Sequence, residues 1–121
     1  MLTLGLSDRI WICVQPVDGR KSFDGLSAVI TNHLGRDPLS GDLFVFRNRR
    51  GDRLKILAWQ GDGFALYLRR LESGTFAFPS ADTSEVRVST TELAMILGGV
   101  ELQGTHRRKR YQRVQPTAAQ A

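Results

Sequence analysis

Cys13 is the only cysteine in the chain. One cysteine closes no internal disulfide and supplies no cysteine-based zinc site. Histidine is almost as scarce. His33 falls near a predicted helix end, where it reads as a partner of the helix dipole, and His106 falls in a basic stretch. A metal site needs three or four clustered ligands, so no metal and no cofactor are expected. No long apolar run exists, which excludes a membrane-spanning helix. Met1–Ser7 lacks the basic start and apolar stretch of a secretory signal, so the expected location is a bacterial or eukaryotic cytosol or nucleus. With 121 residues the chain is far short of the roughly 250 that a TIM barrel needs and suits one modest domain.

The charge is unevenly placed. Lysine and arginine total 17 and aspartate and glutamate 12, giving +5. Beyond Gln103 stand Arg107, Arg108, Lys109, Arg110 and Arg113 with no acid, so the whole excess sits there and residues 1–102 balance. Arginine outnumbers lysine 14 to 3, which suits bidentate contact with phosphate or carboxylate. The pattern predicts one domain over residues 1–103 and a disordered basic tail over 104–121.

Within the domain, Arg9–Val14 reads as a strand rich in β-branched and aromatic residues. Ser22–Leu34 reads as a helix, with Phe23, Leu26, Ile30 and Leu34 spaced by three and four and Gly35 past its end. Leu43–Arg47, Arg53–Trp59 and Phe64–Arg69 read as a meander turned at Asn48–Asp52, where Gly51 can take a positive φ, and at Gly61-Asp62-Gly63. Glu85–Val88 is a further short strand. Ser89-Thr90-Thr91-Glu92 is a capping box that opens a second helix through Leu97, closed by Gly98 and Gly99. The expected fold is therefore α+β: a small antiparallel β-meander sheet with two short helices.

No catalytic constellation emerges. Cys13 sits in an apolar strand and reads as a small buried hydrophobe. Asp18, Asp24, Asp37, Asp42, Asp52 and Asp62 could in principle hold Mg²⁺, but each falls at a turn or helix start, where aspartate serves local hydrogen bonding. Gly61-Asp62-Gly63 lacks the glycine pattern and following helix of a phosphate-cradling loop.

The basic residues remain. The tail cluster suits phosphate, with Tyr111 able to stack on a base. In the meander, pairing Phe46 with Leu54 and Phe44 with Ile56 gathers four apolar side chains on one face, with Arg47, Arg53 and Lys55 on the other and Arg49 and Arg50 on the loop. Pairing Ile56 with Leu68 then sets Arg69 beside Lys55. Like charges facing each other destabilise a sheet, so an anion is expected there: Asp52, Glu72 or Glu85 folding over, or a nucleic-acid backbone or acidic partner. The candidate nucleic-acid-binding residues are Arg47, Arg49, Arg50, Arg53, Lys55, Arg69, Arg70, Arg107, Arg108, Lys109, Arg110 and Arg113.

The run Asp37-Pro38-Leu39-Ser40-Gly41-Asp42-Leu43-Phe44-Val45-Phe46-Arg47-Asn48-Arg49-Arg50-Gly51-Asp52-Arg53-Leu54-Lys55-Ile56-Leu57 resembles the small accessory protein, TnpB or second-reading-frame protein, of the IS-sixty-six family of bacterial insertion sequences. Asp18-Gly19-Arg20-Lys21-Ser22-Phe23-Asp24-Gly25-Leu26 is similar to the family's DMRKGFDGL motif, and Gly63–Phe76 to its Gly-Phe…Lys-Arg-Leu-Glu…Gly-x-Phe block. The likeness covers Ile10 to Gly99, with the basic tail outside it. Gly19 replaces the usual Met, Ser22 a Gly, Ala65 a common Trp and Arg69 a common Lys. The RNA-guided nucleases that share the name TnpB are a different family.

The resemblance implies a non-catalytic protein, not an enzyme, that acts beside a separate DDE-type transposase in transposition. The expected partners are DNA, as insertion-sequence ends or non-specific duplex, and that transposase, within the bacterial cytoplasm and at the nucleoid when bound. The alternative is a protein adaptor that docks the transposase without touching DNA. Family site residues do not carry over, so the candidates rest on charge alone.

Overall fold

The computed structural model describes residues 9–99. Its elements run β1 (Ile10–Cys13), α1 (Phe23–Asn32), β2 (Leu43–Arg47), β3 (Arg53–Trp59), β4 (Phe64–Arg70), β5 (Glu85–Val88) and α2 (Thr90–Gly98). The class is α+β, as expected. The five strands form one sheet in the order β4-β3-β2-β1-β5. The expected tail, with Arg107, Arg108, Lys109, Arg110 and Arg113, lies outside the described residues.

The sheet is mixed, which extends the antiparallel meander expected from the sequence. β2, β3 and β4 form that meander. β1 joins β2 in parallel, with Ile10 opposite Leu43 and Ile12 opposite Val45, and β5 closes antiparallel on β1. A parallel pair needs a crossover of about a dozen residues or more, and the α1 segment between β1 and β2 supplies it.

Both helices end as local chemistry dictates. In α2 the Ser89 side chain accepts from the Glu92 amide at 3.1 Å while the Glu92 carboxylate accepts from the Ser89 amide at 2.8 Å. Gly99 closes α2 in the left-handed region at φ 84°. In α1 the Leu34 amide donates to Val29 and the Arg36 amide to Ile30, around Gly35 at φ 67°. Leu26 and Ile30 are fully buried, but Phe23, which the periodicity assigns to the same stripe, is 43% exposed. It stands at the first turn, at the margin of the face that α1 covers.

The sheet is covered on both sides. One face holds Ile10, Ile12, Val45, Leu54, Ile56, Ala58 and Val88, packed beneath Phe76 and the α2 residues Leu93 and Ile96. The opposite face holds Cys13, Phe44, Phe46 and Leu57 beneath Leu26, Ile30 and Leu34 of the α1 segment. Each valine, leucine, isoleucine or phenylalanine among them contributes about 1.5–3 kcal/mol by leaving water.

This double cover overturns the expected register. Phe46 faces Lys55, not Leu54, and Phe44 faces Leu57, not Ile56. Likewise Ile56 faces Tyr67, not Leu68, and Ala58 faces Ala65, not Leu66. Each pairing is one residue away from the one expected. The expectation placed all the apolar residues on one face, a sound criterion only when the other face meets water. Here Phe44, Val45 and Phe46 are all buried, so alternation carries no register information. Lys55 and Arg69 consequently lie on opposite faces rather than side by side, with Lys55 opposite Leu68 and Arg69 opposite Leu54.

Candidate nucleic-acid interface

The β2–β3 hairpin ends in a loop fixed by its own polar groups. The Asn48 side chain accepts from the Arg53 amide at 3.0 Å and donates to the Asp52 carboxylate at 2.8 Å. The Gly51 amide donates to the Asn48 carbonyl at 3.0 Å, and Gly51 turns the chain at φ 78°. The loop is anchored outward as well. The Phe76 amide donates to the Gly51 carbonyl at 2.8 Å and the Leu71 amide to the Asp52 carbonyl at 2.7 Å. Asn48's hydrogen bond holds the Asp52 carboxyl below the ordinary range, with Arg50 and Arg53 adding to the effect.

A second segment docks against this loop. The Val17 amide donates to the Arg47 carbonyl at 3.0 Å, forming a parallel bridge between Val17 and Asn48. Asp18 then folds a turn on itself. Its carboxylate accepts from the Arg20 amide at 2.9 Å and from the Arg20 guanidinium at 3.1 and 2.8 Å. These hydrogen bonds hold the Asp18 carboxyl well below the usual carboxylate range. Val17, Asp18, Gly19, Asn48, Arg49 and Arg50 line an open depression between the two segments.

The candidate cations divide by what their side chains already hold. Arg47 donates to the Phe76 carbonyl at 3.1 Å and lies 4.8 Å over the Phe78 ring, and burial lowers its pKa. Arg69 donates to the Tyr67 hydroxyl at 2.9 Å and to the Leu97 carbonyl at 3.0 Å, at the C-terminal end of α2. Lys55 donates to the carbonyls of Gly19 and Lys21, and burial, then Arg53, pushes its pKa down. Arg70 pairs with Glu72 at 3.2 Å on the surface. Arg49, Arg50 and Arg53 are exposed, and among the described residues their side chains make no hydrogen bond or ion pair.

Sequence reasoning on charge passed over Asp18, Arg20 and Lys21, which the fold brings beside the loop. The signal was present, because they stand in the stretch that resembles the family motif. It also passed over a second polar cluster. The buried Asp42 accepts from the Trp11 indole at 3.0 Å and from Arg9 at 3.3 Å. Arg36 lies 3.3 Å over the Trp11 ring and pairs with Glu85. That cluster joins β1, β5 and the chain between α1 and β2, and each of its acids is already paired. Among the described residues no group of three or more His, Cys, Asp or Glu could hold a metal ion, and no helix is long and apolar enough to cross a membrane.

Fold and site together define a small α+β protein that carries, at a hydrogen-bonded hairpin end, arginines whose side chains are unpaired among the described residues. Residues 8–107 match the family described as IS66 Orf2 like protein, and the chain belongs to that family of insertion-sequence accessory proteins. The match runs past Gly99, where the resemblance was expected to stop, and takes in Arg107. The chain is 40% identical over 93 residues to y4jC of Sinorhizobium fredii (strain NBRC 101917 / NGR234), covering 77% of this chain and 80% of that one. It is 37% identical over 101 residues to y4hO of the same strain, covering 84% of this chain and 88% of that one. Both relatives are described as uncharacterized proteins. No solved structure matches.

Proposed function

We propose that this accessory protein grips the phosphate backbone of DNA, at insertion-sequence ends or on non-specific duplex, and supports a separate DDE-type transposase without catalysis of its own. The observation that carries the reading is the set Arg49, Arg50 and Arg53. Two guanidiniums, Arg49 and Arg50, stand on a loop held by Asn48, Gly51 and Asp52, a third, Arg53, opens β3 beside it, and among the described residues none of the three side chains makes a hydrogen bond or ion pair. An arginine fork matches phosphate oxygens two at a time, and a loop already ordered loses little entropy on binding. Arg107, Arg108, Lys109, Arg110 and Arg113 add five cations that suit phosphate contacts of the same kind. Arg47, Lys55 and Arg69, committed to carbonyl and hydroxyl oxygens, serve the fold instead.

Fluorescence anisotropy on a labelled duplex across a salt series tests the proposal. Replacing Arg49, Arg50 and Arg53 together by alanine should lower the log–log salt slope by about 2.7, since each neutralised phosphate contributes about 0.9. Replacing the five tail cations by glutamine should lower it by about 4.5. Melting temperatures should stay within the small range of surface substitutions. Slopes unchanged in both variants would refute DNA binding through these residues.

A further inference from the structure

Among the described residues β4 forms one edge of the sheet. The Gln60 amide donates to the Gly63 carbonyl and the Leu71 amide to the Asp52 carbonyl. Carried through the observed register, this alternation bonds Ala65, Tyr67 and Arg69 inward to β3. Phe64, Leu66, Leu68 and Arg70 therefore turn their N–H and C=O groups to the open side. Those same four residues share the sheet face that α1 covers. That cover reaches Phe64 and Leu66 but not Leu68, which is 55% exposed. No residue of β4 is fully buried, although five of its seven residues are apolar. The strand carries no proline, one of the devices that blunt an edge. The opposite edge, β5, is only four residues long and bears Glu85 and Arg87.

The charge on this face is unbalanced too. Arg53 stands directly opposite Arg70, in a non-hydrogen-bonded pair where side chains approach most closely. Arg70's contact with Glu72 joins two side chains that are each more than half exposed, and such pairs are well screened.

We propose that the open edge of β4 is a strand-addition site for an extended segment of a second protein, one that sets apolar side chains opposite Leu66 and Leu68 and a carboxylate opposite Arg70. Backbone bonding at Leu66, Leu68 and Arg70 supplies affinity, and the alternating side chains supply selection. A second copy of this chain is the poorer occupant. Two β4 strands paired antiparallel about Tyr67 set Phe64 against Arg70 and leave the Arg53–Arg70 repulsion unrelieved, whereas a carboxylate relieves it. The site adjoins the hairpin loop and shares Arg53 with the proposed DNA-binding set, whereas Arg49 and Arg50 lie off the strand, and the variants below leave all three arginines in place.

The test uses the ¹⁵N-labelled full chain and the peptide acetyl-Glu-Thr-Val-Thr-Val-Thr-Val-amide, whose antiparallel docking places Glu opposite Arg70 and Val opposite Leu68 and Leu66. The peptide should slow hydrogen exchange at the Leu66, Leu68 and Arg70 amides. A peptide with Lys in place of Glu should bind about tenfold more weakly. Leu68→Pro, which removes one outward N–H and leaves the β3 ladder intact, should abolish binding. Arg70→Glu should reverse the preference between the two peptides, and it keeps the test decisive if the proline variant unfolds. Four results would overturn the proposal: no protection at millimolar peptide, equal affinity for both peptides, edge amides already slow in the free monomer, or a dimer in sedimentation that the peptide does not dissociate.

Discussion

The Lys55 ammonium donates to the Gly19 carbonyl at 2.9 Å, tying β3 to a segment 36 residues earlier in the chain. A second bond to the Lys21 carbonyl completes the tie. Two carbonyls and no carboxylate make a dipolar cradle for a half-buried cation, and burial accordingly pushes its pKa down. The tie holds the Asp18–Lys21 turn beside the Asn48–Asp52 loop, so Lys55 organises the basic end of the sheet.

Lys55→Met keeps the aliphatic stem and loses both bonds, so stability should fall by about 1–2 kcal/mol in urea unfolding. Arg69→Met should cost a similar amount through the Tyr67 hydroxyl and the Leu97 carbonyl. The two residues lie on opposite faces and share no partner, so the double variant should show the sum within about 0.5 kcal/mol. A double variant as stable as the wild type would mean that the two charges repel across one face.

Gly51→Ala meets two obstacles. The residue holds φ 78°, and a Cβ there would lie 3.2 Å from the Thr75 Cβ. The left-handed conformation alone costs about 1–2 kcal/mol for a residue with a side chain. Stability and duplex affinity should therefore fall together, because the same turn aims Arg49 and Arg50. Gly61→Ala is the control. Its φ is 96° but nothing lies within 4 Å, so it should cost backbone strain alone and leave duplex affinity unchanged.

Burial pushes the Cys13 thiol up from its ordinary 9.0 to about 11, with a Gln15 backbone hydrogen bond opposing and the Glu85 carboxylate adding to the rise. The folded state thus holds this proton more tightly than the unfolded chain does. The corresponding stability is complete below pH 9 and is lost as pH rises towards 11. Wild-type melting temperature should decline across that window, and Cys13→Ala should flatten the decline. At pH 8 the thiol should react with iodoacetamide only at the rate of unfolding.

Local chemistry alone determined a good deal of this protein. The bounds of β2 and β3, the Ser89–Glu92 capping box, the turn at Gly51 and the stop at Gly35 depend on residues within a few positions of one another, and each is legible in the sequence. The family is legible for the same reason, since its motifs are contiguous runs. Register and facing belong to the tertiary structure. Phe44, Val45 and Phe46 are buried together because α1 and α2 cover opposite faces, and a strand apolar on both sides gives no alternation by which to set its partner. The division of the arginines is tertiary as well. Arg47 is engaged by a carbonyl 29 positions away and Arg69 by one 28 positions away, whereas among the described residues the side chains of Arg49, Arg50 and Arg53 make no hydrogen bond or ion pair. Composition gives these residues the same charge, and only long-range packing decides which guanidiniums the fold consumes.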